Sequence, residues 1–266
     1  MKCCIIGVGK MGEALLKGFF SRAKKEEFFL TAYEISPQRR KEIEELYPVS
    51  MAKSLDEALE DTQVILLAVK PQQIGELLEE MKDKTSGPLI VSVAAGIPIS
   101  YIKDRVAKDA RIVRVMPNTP ALVGEGVLAY ALGPGTTEED RELVEGLLSP
   151  LGTVVEVPER LMDAVTALSG SGPAYVFLFL QALSDAGVRV GLPRDLANTL
   201  ALKTMTGSLK LLEELQEHPA KMIEMVTSPG GTTIAALAVM ERAGFRGIVM
   251  DAVAAAEARS RELGRG

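Results

Sequence analysis

The stretch CCIIGVGKMG, residues 3–12, decides the fold of this chain. A short apolar run leads into Gly7, Val8, Gly9, Lys10, Met11 and Gly12, a G-x-G-x-x-G pattern that opens onto a segment with helical spacing. A buried strand turning through glycines into a helix lets the backbone N–H groups at the helix start face a dinucleotide pyrophosphate. The three glycines differ in what they do. Gly7 makes the turn, Gly9 admits close approach, and Gly12 lets the helix pack on the strand. Val8, Lys10 and Met11 complete the loop and contribute backbone donors.

Outward from that loop, β-rich apolar runs alternate with helical segments as far as Glu156. The runs are 3–8, 30–33, 64–69, 89–93, 112–115, 127–131 and 154–157; the expected helices are 12–22, 37–46, 72–81, 100–106 and 138–148. This rhythm predicts βαβ units around a mostly parallel sheet, with strands such as 64–69 buried on both faces. After Pro158 the strand signals stop, and Ala-, Leu- and Met-rich helices continue, broken at Gly191 with Pro193, at His218 with Pro219, at the loop 228–233 and at Gly244. The expected fold is α/β: an N-terminal Rossmann dinucleotide-binding domain over 1–158 and a C-terminal all-helical domain over 159–266. Residues 174–183 are apolar on nearly every face. They predict either a dimer through the helical domain or a well-buried central helix.

The 266 residues carry a net charge of −6 and no sustained basic stripe, which argues against nucleic acid as a partner. No apolar run reaches transmembrane length. The only cysteines, Cys3 and Cys4, are adjacent in an apolar segment, so they form no disulfide framework and suit a reducing cytoplasm.

Glu34 ends the second β-rich run, about 20 residues past the glycines, where a carboxylate accepts hydrogen bonds from both ribose hydroxyls of NAD and repels a 2′-phosphate. Ser36, Arg39 and Arg40 follow within one turn and would serve a 2′-phosphate if Glu34 pointed away, so NADH and NADPH both stay open. A plain helix entry with Ser36 as cap is the structural alternative. At the end of the run 64–69 stand Ala68, Val69, Lys70 and Pro71, where open α/β sheets bind ligands; Lys70 is placed to reach ribose or phosphate, or simply to face solvent. Ala95, within Ala94, Ala95 and Gly96, and the segment 116–120 supply small or rigid backbone near a nicotinamide.

In the helical half, Ser228, Pro229, Gly230, Gly231, Thr232 and Thr233 precede an expected helix over 234–240. Glycines for close approach, two hydroxyls and unpaired N–H groups at a helix start suit a carboxylate. Ser228 as N-cap with Pro229 at the first position is the plain alternative. The chain has one histidine, His218, at a helix entry, and lacks metal-ligand spacing and a nucleophile motif. Alcohol oxidation needs a base, usually His or Lys, whereas reducing a protonated imine does not.

With these residues in view, the sequence resembles the pyrroline-5-carboxylate reductase family along essentially its whole length. The resemblance rests on GVGKMG at 7–12, AVKP at 68–71, RVMPNTP at 114–120, LSGSGPAYVF at 168–177, DAGVRVGLPRDLA at 185–197 and SPGGTTIAAL at 228–237. It implies hydride transfer from NADPH or NADH to the C=N bond of 1-pyrroline-5-carboxylate, the last step of proline biosynthesis. It further implies a helical dimerisation domain, an active site between the domains, and a substrate carboxylate held by the 228–233 loop with Thr232 and Thr233. Asp163, Thr166 and Ser171 would line the cleft, Thr166 or Thr233 would pass a proton, and Glu159 would approach the cofactor. Family members form interlocked homodimers, some stacked into rings up to a decamer. Two departures stand out: Glu34, Ile35 and Ser36 replace the Asn or Ser with Arg that many members carry, and a glutamate ahead of His218 corresponds to Gln216, with Glu217 beside it. A β-hydroxyacid dehydrogenase is the nearest rival, but the places of its catalytic Lys and Asn after Gly172 hold Tyr175 or Val176 and Leu178. A nucleotide-binding sensor without turnover is the other.

Overall fold

The structure, a computed structural model, describes residues 1–22 and 29–264. The first half alternates β1 Lys2–Ile6, α1 Lys10–Arg22, β2 Phe29–Tyr33, α2 Pro37–Leu46, β3 Ser50–Met51, α3 Leu55–Leu59, β4 Val64–Leu67, α4 Ile74–Met81, β5 Leu89–Ser92, α5 Ile99–Lys103 and β6 Arg111–Met116. It continues with β7 Gly126–Leu132, α6 Glu138–Leu148, β8 Gly152–Glu156 and the short α7 Met162–Val165. The second half is helical: α8 Gly172–Arg189, α9 Arg194–Leu215, α10 Pro219–Met225, α11 Thr232–Arg242 and α12 Phe245–Leu263.

The strands form one sheet in the order β3-β2-β1-β4-β5-β6-β7-β8, parallel throughout except for the β6–β7 pair. Strand alternation sends Cys3, Ile5, Val64 and Leu66 into a core on one face and Cys4, Ile6, Ile65 and Leu67 into a core on the other. Burial on both faces explains why these strands are apolar without a break. Each Val, Leu or Ile among them contributes roughly 1.5–3 kcal/mol on burial. After β3 the chain returns to add β4 on the opposite side of β1, and this reversal opens a crevice at the carboxyl ends of β1 and β4. The register brings Ile6 level with Tyr33 and Leu67, so Gly7, Glu34 and Ala68 leave the sheet side by side.

Three local expectations change. The segment 50–59, assigned no element from sequence, adds β3 and α3; two residues carry no periodicity, and Ser54 caps α3 by accepting from the Glu57 N–H at 3.2 Å. The helix expected over 72–81 begins with a 3-10 turn, Pro71–Gln73, whose first position Pro71 takes because no N–H is needed there. The helix before the run at 111 is Ile99–Lys103 rather than 100–106.

By compactness the chain divides into Met1–Ser171 with Ala256–Gly266, and Gly172–Ala255. The division falls later than the change from strands to helices at Pro158 because Met162 is fully buried in the sheet's second core, which ties 159–171 to the first unit. In the second unit α8 packs along α9, yet Val176, Phe177 and Leu178 on α8 are 47%, 63% and 68% exposed. The breaks at Gly191, His218, 226–231 and Gly244 all separate helices.

Candidate active site

The glycine loop is shaped by collision. Gly7 has φ +87°, and a Cβ there would lie 2.9 Å from the Val69 backbone nitrogen; at Gly12 it would lie 2.1 Å from the Gly7 carbonyl oxygen. A Cβ on Gly9 would meet nothing within 4 Å. Gly9 is therefore bare for the sake of something outside the protein, which is what a pyrophosphate needs. The first intrahelical bond of α1 runs from Glu13 N–H to the Gly9 carbonyl, so the N–H groups of Lys10, Met11 and Gly12 lie in the first turn, without an i−4 partner.

A cavity of about 510 Å³ lies along this loop, lined by Gly7, Gly9, Glu34, Ile35, Ser36, Arg39, Ala68, Val69 and Lys70 among others. The Glu34 carboxylate accepts from the Val8 N–H at 3.0 Å and from the Ser36 N–H at 2.9 Å, which fixes it beside the glycines. Ser36 also caps α2, its hydroxyl accepting from the Arg39 N–H at 3.4 Å. The helix-entry reading holds for Ser36, while Glu34 takes no part in the cap's side-chain bond and lines the cavity. Arg39 donates to the Val8 carbonyl at 2.7 Å and to Glu42 at 3.1 Å, and pairs with Glu13, which also accepts from the Tyr47 hydroxyl at 3.1 Å. The Arg39 guanidinium holds the Glu13 carboxyl below its usual range. The open glycine, the donor-rich helix start and the fixed carboxylate fit a nicotinamide dinucleotide. Val8 and Gly12 are buried behind the loop.

A second cavity, about 700 Å³, lies in the same unit and is lined by Pro71, Ala95, Gly96, Pro98, Tyr101, Thr166, Ser171 and Arg259 among others. Thr166 opens a π-helical turn, Thr166–Gly170, closed by the Ser171 N–H donating to the Thr166 carbonyl at 2.8 Å. Such turns occur mostly as single insertions within α-helices and are frequent at functional sites. The Thr166 hydroxyl donates to the Met162 carbonyl at 2.8 Å. Asn118 anchors the turn: its amide donates to the Ser169 carbonyl at 3.1 Å and its oxygen accepts from the Val127 N–H at 2.9 Å. The sequence marked Asn118 only as part of a rigid turn; its partner lies 51 residues away, beyond any local signal. Tyr101 and Arg259 were likewise unsignalled.

Glu159 has structural partners. It accepts from the Ile99 N–H at 2.7 Å, capping α5, and pairs with Arg114 at 3.4 Å. Asp163 accepts from the Ser260 hydroxyl at 2.7 Å.

In the second unit, the 228–233 loop does not use Ser228 as a helix cap. The Gly231 N–H donates to the Ser228 carbonyl at 3.1 Å around Gly230, whose φ of +66° makes the turn. Helix α11 then starts at Thr232 with Gly231 as N-cap and no side-chain cap bond, two residues earlier than expected. Both threonines lie in its first turn. His218 caps α10, its Nδ1 accepting from the Ala220 N–H at 3.2 Å. Gln216 ends α9 with φ 52° and its amide on the Glu213 carbonyl at 2.6 Å, while Glu217 pairs with Lys221.

Two family models cover most of the chain: residues 2–96 match an NADP oxidoreductase, coenzyme F420-dependent family, and residues 159–263 match pyrroline-5-carboxylate reductase dimerisation. A pyrroline-5-carboxylate reductase of Synechocystis is 43% identical over 98% of this chain and 97% of its own. Among solved structures, a Plasmodium falciparum pyrroline carboxylate reductase with NADP bound is 33% identical at TM-score 0.88, covering 99% of this chain and 98% of its own. One from Coxiella burnetii is 31% identical at TM-score 0.92, covering 98% and 97%. With the nucleotide half and the helical half matched in one alignment, the chain belongs to the pyrroline-5-carboxylate reductase family.

Proposed function

We infer that this chain reduces the C=N bond of 1-pyrroline-5-carboxylate to L-proline at the expense of NADH or NADPH. The observation that carries the reading is kinship through both halves of the chain, joined to a crevice whose open glycine fits a dinucleotide. When bound, the reduced nicotinamide supplies the hydride. Gly9 and the first N–H groups of α1 hold the pyrophosphate, Glu34 accepts from the ribose hydroxyls, and Lys70 donates to ribose or phosphate. Ala68, Val69, Pro71 and Ala95 supply the walls.

The carboxylate of the substrate is held by the turn of Ser228, Gly230 and Gly231 and by the N–H and hydroxyl groups of Thr232 and Thr233. Fixing the carboxylate fixes the ring, so positioning accounts for most of the rate. The imine nitrogen gains one proton as its carbon gains the hydride; Thr166 or Thr233 passes that proton where the imine is not already protonated. Glu159, which holds the start of α5 and Arg114, approaches the cofactor from that wall.

We assign cofactor binding to residues 1–158 and substrate binding and dimerisation to 159–266, since the dimerisation family model begins at 159. The exposed Val176, Phe177 and Leu178 support a homodimer through the helical half, and light scattering distinguishes it from a decamer. Among the described residues no helix is long and apolar enough to cross a membrane. Two free, buried thiols suit the cytoplasm.

The test is consumption of reduced nicotinamide with pyrroline-5-carboxylate, with proline identified as product. Thr233→Ala is expected to raise KM about fivefold, equivalent to roughly 1 kcal/mol. Unchanged KM and kcat in that variant remove the loop from substrate binding. Tight cofactor binding without turnover supports the sensor reading instead.

A further inference from the structure

We propose that this chain selects NADH over NADPH, and that the selection is made by Glu34 together with an acidic clamp, Glu13 and Glu42, that keeps Arg39 away from a 2′-phosphate. This rests on the assignment of the 510 Å³ cavity to a nicotinamide dinucleotide.

The residue after Glu34 is Ile35, 67% exposed and lining the cavity, so no cation stands there. Glu34 is held toward the cavity by two backbone N–H groups, one on each carboxylate oxygen, and cannot turn aside without breaking both. Its oxygens keep lone pairs for ribose hydroxyls. A phosphate carrying close to two negative charges at the same place meets a fixed carboxylate instead.

The cation in reach is Arg39, and each of its three nitrogens already has a partner. Nε serves the Val8 carbonyl, Nη1 serves Glu42, and Nη2 serves Glu13. Glu13 is in turn held by the Tyr47 hydroxyl on its other oxygen. The next residue, Arg40, is not part of the cavity lining; its Nη2 donates to the Glu34 carbonyl at 3.1 Å and its Nε is buried without a partner. Across the cavity, Lys70 is accompanied by Glu76 and Glu80, so the lining as a whole offers a phosphate no net positive charge. The lock on Arg39 is therefore part of the specificity, and Glu13 and Glu42 are positioning residues for it.

The experiment measures equilibrium binding of NADH and NADPH by nicotinamide fluorescence and calorimetry, without substrate. The wild-type protein is expected to bind NADH at least tenfold tighter. In Glu34→Gln the ratio should fall toward one, with NADH weakened and NADPH strengthened. In the Glu13→Gln/Glu42→Gln double variant, NADPH should bind several-fold tighter and with a steeper salt dependence, while NADH stays within twofold. Arg39→Gln, a second route should the double variant fold poorly, should leave the wild-type ratio unchanged because Arg39 does not serve the phosphate. Equal or tighter NADPH binding by the wild type overturns the proposal, as does a double variant that weakens both cofactors alike. A selective loss of NADPH binding in Arg39→Gln overturns it too. If neither dinucleotide binds, the assignment of the cavity itself fails.

Discussion

Two glycine loops in this molecule each lead into a helix N-terminus, and they are supported in opposite ways. The loop at 7–12 is wedged: strands on both sides and the helix behind leave Gly7 and Gly12 no room for a methyl group. The loop at 228–233 is free-standing: a Cβ on Gly230 would meet nothing within 4 Å, and Ser228, Pro229 and Gly230 are exposed. The first is specified by packing against its surroundings, and the second from within, by the backbone angle at Gly230 and by Gly231, where a Cβ would lie 3.2 Å from the Ser228 carbonyl oxygen. The same local arrangement, glycines leading into the free N–H groups of a helix start, is thus reached by two different kinds of constraint.

The sharpest way to break this contrast is at Gly12. Gly12→Ala drives a methyl into the Gly7 carbonyl and is expected to cost on the order of 3 kcal/mol, read as a lowered denaturation midpoint together with lost nucleotide binding. Gly9→Ala in the same loop should leave the midpoint within about 0.5 kcal/mol of wild type, since its methyl meets no protein atom, and should still weaken nucleotide binding tenfold or more. Equal stability losses in the two variants would remove the distinction between packing glycine and contact glycine.

Next in size is Gly230→Ala. The strain of an L-residue at φ +66° should cost roughly 1–2 kcal/mol and raise KM for the carboxylate substrate, with nucleotide affinity untouched. A change in nucleotide affinity would show that the two loops are not independently supported.

The smallest effect lies in the ionic bracing of the wedged loop. The folded-state pKa of Glu13 is depressed by Arg39, so its contribution is fully present above the unfolded value near 4.5 and fades as pH falls through the lower folded value. Thermal melts from neutral to acid pH should show less than about 1 kcal/mol of this, absent in Glu13→Gln.

The wedged loop was also the more legible of the two. Its strand, glycines and acid form a local pattern, and the strand alternation that buries Cys3 and Cys4 on opposite faces is already visible in the unbroken apolar run. The start of the helix behind the free-standing loop was harder to read: Ser228 and Pro229 are strong helix-entry residues, and the turn around Gly230 outcompetes them. What escaped altogether was long-range. Neither the pairing of Asn118 with Ser169 nor the capture of Glu159 by Ile99 and Arg114 leaves a trace in nearby residues. Arg39 shows the same limit: the cation and its i+3 neighbour Glu42 are visible in sequence, whereas Glu13, which also claims it, comes from a different helix.

The adjacent cysteines of β1 carry one more consequence. They point into the two separate cores of the sheet, and burial pushes their thiols up to about 11 and about 12. Back to back across the central strand, they have no geometry for bonding to each other and almost no thiolate at neutral pH. The enzyme therefore carries an internal clock of its own opening: a thiol reagent in solution reacts only when the middle of the sheet comes apart, and the extent of labelling records how often that happens.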